Sequence, residues 1–180
     1  MAARSVDGSR EAGPAKRNKV TLLTLQERKA AREPVSWLTA YDYPTALIMD
    51  RAGVEMILVG DSVAMTVLGY ETTLPVTMDE MLVFASAVCR AVDHAFVIGD
   101  MPYMSYQVSL EEAIRNAGRF MAEAGTDAVK LEGGARVAPA VEAISAAGIP
   151  VMAHIGLTPQ PLHSWAASRR RAERPRRAFA

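Results

Sequence analysis

Met56-Ile57-Leu58-Val59-Gly60-Asp61-Ser62 and Phe96-Val97-Ile98-Gly99-Asp100 share one design: a short apolar run, a glycine, then a carboxylate. Two further runs end in polar residues, with Lys130 and Glu132 around Leu131, and with His154 after Pro150-Val151-Met152-Ala153. Apolar runs that finish on an acid, a base or a metal-ligating residue and then turn into a helical pattern are how parallel α/β barrels build active sites at the carboxyl ends of their strands. The chain therefore reads as an enzyme, or as most of the substrate-binding half of one.

Outward from these runs, the pattern predicts strands near 35–40, 56–60, 96–100, 128–132 and 150–154. The predicted helices fall near 43–52, 78–92, 110–124 and 136–147, where Ala and Leu recur at helical spacing. Thr77 with Glu80, and Ser109 with Glu112, have the spacing of helix-starting capping boxes. Thr24 with Glu27 suggests the same for a short lead-in helix. Strands alternating with helices imply a parallel sheet, and right-handed crossovers continued around it would close a barrel. Five strands are present where a (β/α)8 barrel needs eight. Residues 1–19 are polar and without period, and read as a disordered basic arm; 20–160 form the barrel segment, and 161–180 an Arg-rich tail.

Lys+Arg and Asp+Glu balance at 20 each, but their distribution is uneven. Residues 1–32 carry eight basic and three acidic side chains, 33–160 six and sixteen, and 161–180 six and one. An acidic central module is a poor nucleic-acid binder, which needs a basic surface, yet carboxylates readily hold a hard divalent cation. Cys89 is the single cysteine, so no intrachain disulfide or cysteine-based zinc cluster can form. A buried structural thiol in a reducing, cytoplasmic compartment is the expectation. No apolar stretch approaches the roughly 20 residues of a membrane span, and no apolar signal core precedes the module. Arg4, Ser5, Ser9 and Arg10 would suit an organelle transit peptide, against which Asp7 and Glu11 argue.

If the strands are parallel, Asp61, Ser62, Asp100, Lys130, Glu132 and His154 converge on one rim. Carboxylate oxygens suit Mg²⁺, which keeps waters and binds through one or two carboxylates plus substrate oxygens. A 2-oxo acid offers keto and carboxylate oxygens as a chelate, and the ion would stabilise the enolate left by proton loss from the adjacent carbon. Each residue alone has a plainer reading: Asp61 and Asp100 as turn or cap residues, Lys130 as a surface charge, His154 as a core histidine. Gly133-Gly134, between a strand and a helix, reads equally as a tight turn or an anion cradle, and no nucleotide-binding motif accompanies it.

At these residues the sequence resembles the ketopantoate hydroxymethyltransferase family. The matching segments are Leu38 to Tyr43, Leu58 to Ser62, Gly69 through Thr77, Gly99-Asp100-Met101-Pro102-Tyr103, Val129 to Gly134, and His154 through Gln160. The resemblance implies a (β/α)8 barrel that assembles into a ring-like decamer and carries Mg²⁺. The implied reaction transfers a one-carbon unit from the co-substrate 5,10-methylenetetrahydrofolate to 3-methyl-2-oxobutanoate, giving 2-dehydropantoate on the route to pantothenate and coenzyme A. By position, Asp61 and Asp100 would ligate the metal and Glu132 complete or support its coordination. Asp61, Ser62, Asp100 and Lys130 would contact the oxo acid, with His154 an auxiliary residue.

The family's general base is a glutamate from a later strand with no counterpart here, so the resemblance implies no turnover by the chain as written. After Gln160 the motifs give way to Arg-, Ala-, Pro- and Ser-rich sequence. That composition suggests GC-rich DNA read out of frame; a basic tail for an anionic surface is the alternative. A five-stranded remnant is expected to expose its two edge strands and the inner face of the sheet. Two competing functions remain: another Mg²⁺-dependent 2-oxo-acid lyase or mutase of the phosphoenolpyruvate/pyruvate barrel type, and a non-catalytic fragment docking on full-length subunits.

Overall fold

A computed structural model describes residues 17–156, 158 and 160. The chain runs α1 (Leu22–Ala31), β1 (Trp37–Thr39), α2 (Tyr43–Ala52), β2 (Met56–Val59), α3 (Val63–Thr66), α4 (Met78–Ala91), β3 (Phe96–Asp100), α5 (Leu110–Arg119), β4 (Ala128–Glu132), α6 (Ala138–Ala146) and β5 (Val151–His154). The five strands form one parallel sheet in the order β1-β2-β3-β4-β5. Sequential parallel strands joined by helices are the first five units of a (β/α)8 barrel, and β1 and β5 are the edges of the described sheet.

Local chemistry sets the helix boundaries. Thr77 Oγ1 accepts from the Glu80 amide at 3.2 Å while Glu80 Oε2 accepts from the Thr77 amide at 2.8 Å, so the predicted capping box of α4 is present. Ser109 caps α5 through the Glu112 amide at 3.1 Å, and Asp42 caps α2 through the Thr45 amide at 2.8 Å. The lead-in helix starts one turn earlier than predicted. Its cap is Thr21, which pairs reciprocally with Thr24, so Thr24 is the third helical residue and not the first signal. The predicted helix 110–124 changes winding at Phe120: Phe120–Ala124 forms a π-helical turn, closed by the Gly125 amide donating to the Phe120 carbonyl at 3.0 Å. The helix near 136–147 opens with a tight 3₁₀ turn, Ala135–Val137.

Alternate residues of each strand face opposite ways. Ile57, Val59, Val97, Val129 and Leu131 face the helices and pack with Met81, Ala85 and Val88 of α4, Ala113 and Ala117 of α5, and Ile144 of α6. Each large apolar side chain buried this way contributes roughly 1.5–3 kcal/mol. The opposite face is covered more than expected. Met56, Phe96, Ile98 and Ala128 are buried there because Val20, Leu25 and Val35 pack across the amino-terminal end of the sheet. Exposure is greatest at the edge, where Trp37 and Leu38 are about half exposed.

Three polar ties fix this end. Asp50 of α2 accepts from the amides of Asp93, His94 and Ala95 at 2.8–3.1 Å, pinning the entry to β3. Lys19 pairs with Asp127 at 2.7 Å, and Arg17 donates to the Arg51 carbonyl at 3.0 Å, so residues 17–19 of the expected arm lie on the sheet domain. Residues 1–16 of that arm and the tail at 161–180 lie outside the described residues. Cys89 is half-buried, and burial, with Asp127 adding to it, pushes its thiol up to about 12, as fits a structural role. Among the described residues no helix is long and apolar enough to cross a membrane.

Candidate active site

Strand register brings the charged residues together. Asp100, at the end of β3, lies beside Lys130 of β4, and Glu132 at the end of β4 lies beside His154 of β5. Lys130 and Glu132 are two residues apart and share a face. Asp61 follows β2 by two residues, and its amide donates to Asp100 Oδ2 at 3.2 Å. All four ionisable groups of β2 to β4 are buried: Asp61 4%, Asp100 2%, Lys130 5% and Glu132 4% exposed. The structure thus gathers Asp61, Asp100, Lys130, Glu132 and His154 on the carboxyl rim, as predicted.

The Lys130 ammonium donates to both Asp100 oxygens at 2.7 Å and reaches Glu132 Oε1 at 3.4 Å. Glu132 Oε1 also meets His154 Nδ1 at 3.1 Å, and Oε2 accepts from the Gln160 amide at 3.1 Å. Ser62, half-buried, shares a hydrogen bond of 2.8 Å with the Tyr41 hydroxyl. Three carboxylates face one ammonium, and burial is the largest influence on the acidity of Asp100, Asp61 and Lys130. Burial pushes Asp100 up to about 7, with Asp61 adding to the shift and Lys130 opposing it. Asp61 is also raised, by burial first and against the Gln160 amide and Lys130. Burial alone would lower Lys130, but attraction to Asp100, Glu132 and Asp61 outweighs it and the ammonium is held charged.

A divalent cation fits this donor set. Its charge would offset the excess of carboxylate over ammonium, and the donors are hard oxygens. The Thr73 hydroxyl gives an independent sign. It is 2% exposed and makes no hydrogen bond among the described residues, although it lies near enough to Asp61 to favour the carboxylate. Such an atom is suited to a ligand or a cation-held water. Among the described residues, no three His, Cys, Asp or Glu side chains surround one point in metal-binding geometry. Both oxygens of Glu132 and both of Asp100 already have partners, and Asp61 Oδ2 accepts from Gln160, so Asp61 Oδ1 is the oxygen of these three carboxylates that carries no hydrogen bond among the described residues.

Three participants lay outside the sequence reading: Tyr41, Tyr106 and Gln160. Gln160 is 1% exposed, and its Nε2 donates to Asp61 Oδ2 at 2.8 Å and to the Met101 carbonyl at 3.1 Å. Its position at the end of the Gly-Leu-Thr-Pro-Gln motif was the only signal. Beside the site a cavity of about 550 Å³ is lined by Tyr103, Met104, Tyr106, Glu132, Arg136 and Gln160 among others. It lies between the loops that follow β3 and β4.

Comparison with known proteins places this geometry. The sequence profile described as Ketopantoate hydroxymethyltransferase matches residues 19–179, reaching past Gln160, where the motif resemblance ends. The chain is 57% identical over 147 residues to 3-methyl-2-oxobutanoate hydroxymethyltransferase of Koribacter versatilis (strain Ellin345), covering 82% of this chain and 50% of that protein. It is 58% identical over 146 residues to the protein of the same name in Moorella thermoacetica (strain ATCC 39073 / JCM 9320), covering 81% and 54%. The chain thus spans about half the length of the curated relatives it matches. Among solved structures, phosphonopyruvate hydrolase in complex with oxalate and Mg²⁺ superposes with a TM-score of 0.63 at 16% identity, over 82% of this chain and 56% of that one. Phosphoenolpyruvate phosphomutase from Streptomyces platensis subsp. rosaceus gives 0.58 at 21% identity, over 72% and 52%. At these identities the structures establish the barrel fold alone, whereas the profile match and the sequence relatives establish more: the chain belongs to the ketopantoate hydroxymethyltransferase family.

Proposed function

We propose that this chain carries the metal- and oxo-acid-binding half of a 3-methyl-2-oxobutanoate hydroxymethyltransferase. The reaction moves a one-carbon unit from 5,10-methylenetetrahydrofolate to 3-methyl-2-oxobutanoate, consumes one water to form the hydroxymethyl group, and yields 2-dehydropantoate and tetrahydrofolate. The observation that carries the reading is the buried cluster of Asp61, Asp100 and Lys130 on one rim, where the Asp100 carboxylate accepts from both the Lys130 ammonium and the Asp61 backbone amide.

Asp61 and Asp100 would hold Mg²⁺, with Glu132 buttressing them. Bound there, the ion supplies positive charge beside the keto and carboxylate oxygens of the oxo acid and so favours proton loss from carbon 3. The chain's own residues complete the pocket. Lys130 keeps a fixed positive charge beside the substrate oxygens, and its anchoring on Asp100 spares reorganisation when charge develops there. Ser62, oriented by Tyr41, offers a hydroxyl at the amino end of α3. His154 is oriented by Glu132 and stands at the open side of the cluster. The fold likeness also accommodates a lyase or mutase of 2-oxo acids, but family membership favours the transferase.

Calorimetric titration with 3-methyl-2-oxobutanoate tests the reading. Three buried carboxylates repel a carboxylate substrate until a cation reverses the local charge. Binding is therefore expected with Mg²⁺ and lost in excess chelator, and equal affinity under both conditions would overturn it.

A further inference from the structure

Gln160 ties the site together more extensively than its place in the sequence suggests. Its side-chain amide donates to Asp61 Oδ2, after β2, and to the carbonyl of Met101, after β3. Its backbone amide donates to Glu132 Oε2, at the end of β4. One buried residue following β5 thus holds the ends of three other strands.

The direction of the amide is fixed from behind. The Tyr106 hydroxyl accepts from the Glu132 backbone amide at 3.1 Å, and of the two acceptors within reach of its proton Gln160 Oε1, at 2.9 Å, is nearer than the Glu132 carbonyl, at 3.1 Å. A flipped Gln160 would turn its oxygen toward Asp61 Oδ2 and the Met101 carbonyl, both acceptors, and its NH₂ toward the Tyr106 hydroxyl. The hydrogen bonds therefore run one way, from the Glu132 amide through Tyr106 and Gln160 to Asp61, and each strengthens the next in a buried setting. At its end one oxygen of Asp61 is occupied, which fixes the plane of the carboxylate and directs its other oxygen.

We infer that Gln160, oriented by Tyr106, is the positioning residue that sets the Asp61 carboxylate for cation binding. The inference rests on the proposed role of Asp61 as a ligand. Groups that hold ligands through hydrogen bonds change metal affinity by about 10–100-fold when removed.

Mn²⁺ titration of the full chain, read by electron paramagnetic resonance, separates the two claims. Parent, Asp61→Asn, Gln160→Met, Tyr106→Phe and the Gln160→Met/Tyr106→Phe double variant are compared well below their thermal midpoints. The expected result is binding by the parent and loss in Asp61→Asn. Binding should be about 10–100-fold weaker in Gln160→Met and reduced less in Tyr106→Phe, with the double variant no weaker than Gln160→Met, because Tyr106 acts through Gln160. A parent that binds no Mn²⁺, or an Asp61→Asn variant that binds like the parent, would overturn the ligand role and the inference with it. Parent-like affinity in Gln160→Met would overturn the inference alone. If Gln160→Met does not fold, Tyr106→Phe decides in its place: weakened binding supports the positioning role and parent-like binding refutes it.

Discussion

The Lys130 ammonium lies 2.7 Å from both carboxylate oxygens of Asp100, and both side chains are buried. A pair so placed is bound to its partner more than to the fold. Removing one member leaves the other buried and without a compensating charge, at a cost of about 3–5 kcal/mol, whereas replacing both with neutral groups of similar size is often near neutral. Lys130→Met should therefore lower stability by about that amount in chemical unfolding. Asp100→Asn should cost less, because the ammonium keeps Glu132. The double variant should recover much of the Lys130→Met loss, and strictly additive effects would show that the two do not act as a pair. Both single variants should lose oxo-acid affinity, and only Asp100→Asn should lose cation affinity as well.

At the other end of the sheet, Glu55 Oε2 accepts from the Ser36 amide at 2.6 Å and the Ser36 hydroxyl at 2.7 Å, and Arg28 of α1 pairs with Oε1. The Ser36 amide first, then its hydroxyl and Arg28, hold this carboxyl below the usual glutamate value of 4.5 despite some burial. A carboxyl depressed in the folded state stabilises it above the unfolded value, and that contribution disappears as pH falls through the folded one. Glu55→Gln should thus be about 1–2 kcal/mol less stable near pH 7, and the gap should narrow as pH falls below 4.5 and through the lower folded-state value. Thermal midpoints of parent and variant across pH provide the check. A gap independent of pH would assign the loss to packing instead of charge.

Gly99 occupies the position before Asp100, and a Cβ there would run into the Phe120 ring at Cδ1 and Cε1. Phe120 is fully buried and begins the π-helical turn, so it has little room to withdraw. Gly99→Ala should cost about 1–3 kcal/mol by overpacking and should displace Asp100. Phe120→Leu in the same background should restore part of the loss. Urea denaturation of the single and double variants measures both, and a neutral Gly99→Ala would refute the close approach.

What was legible in the sequence followed short-range rules. The ends of β2 to β5 carry their chemistry next to apolar runs, and Thr77 with Glu80 signals a helix start within four residues. Thr21 and Thr24 show the limit of such rules, because either threonine can begin a helix and only the register of α1 on the sheet chooses. The π-helical turn at Phe120–Ala124 leaves the helical apolar pattern almost unchanged, and the packing of Phe120 beside Gly99 is a contact between distant segments that no local pattern reports. Gln160 and Asp61 are 99 positions apart. Nothing local to either reports that bond, so the residue that joins four strand ends reads in sequence as a polar position after a proline.

Thr73 tests whether the site holds a place for a ligand. Its hydroxyl is buried without a partner among the described residues, close to Asp61. An unpaired buried hydroxyl costs about 1–3 kcal/mol in a closed fold, and valine matches threonine in shape while removing it. In the ligand-free protein Thr73→Val should therefore leave the thermal midpoint unchanged or raise it. In the presence of Mg²⁺ and 3-methyl-2-oxobutanoate the hydroxyl should donate to a charged oxygen or a cation-held water. A hydrogen bond to a charged group contributes about 1.5–3 kcal/mol, so its loss should weaken oxo-acid binding by about tenfold or more. Calorimetry with Mg²⁺ present, paired with thermal unfolding in its absence, separates the two effects. Stability held while affinity falls would place the hydroxyl in the ligand shell. Equal affinity in parent and variant would remove Thr73 from the site.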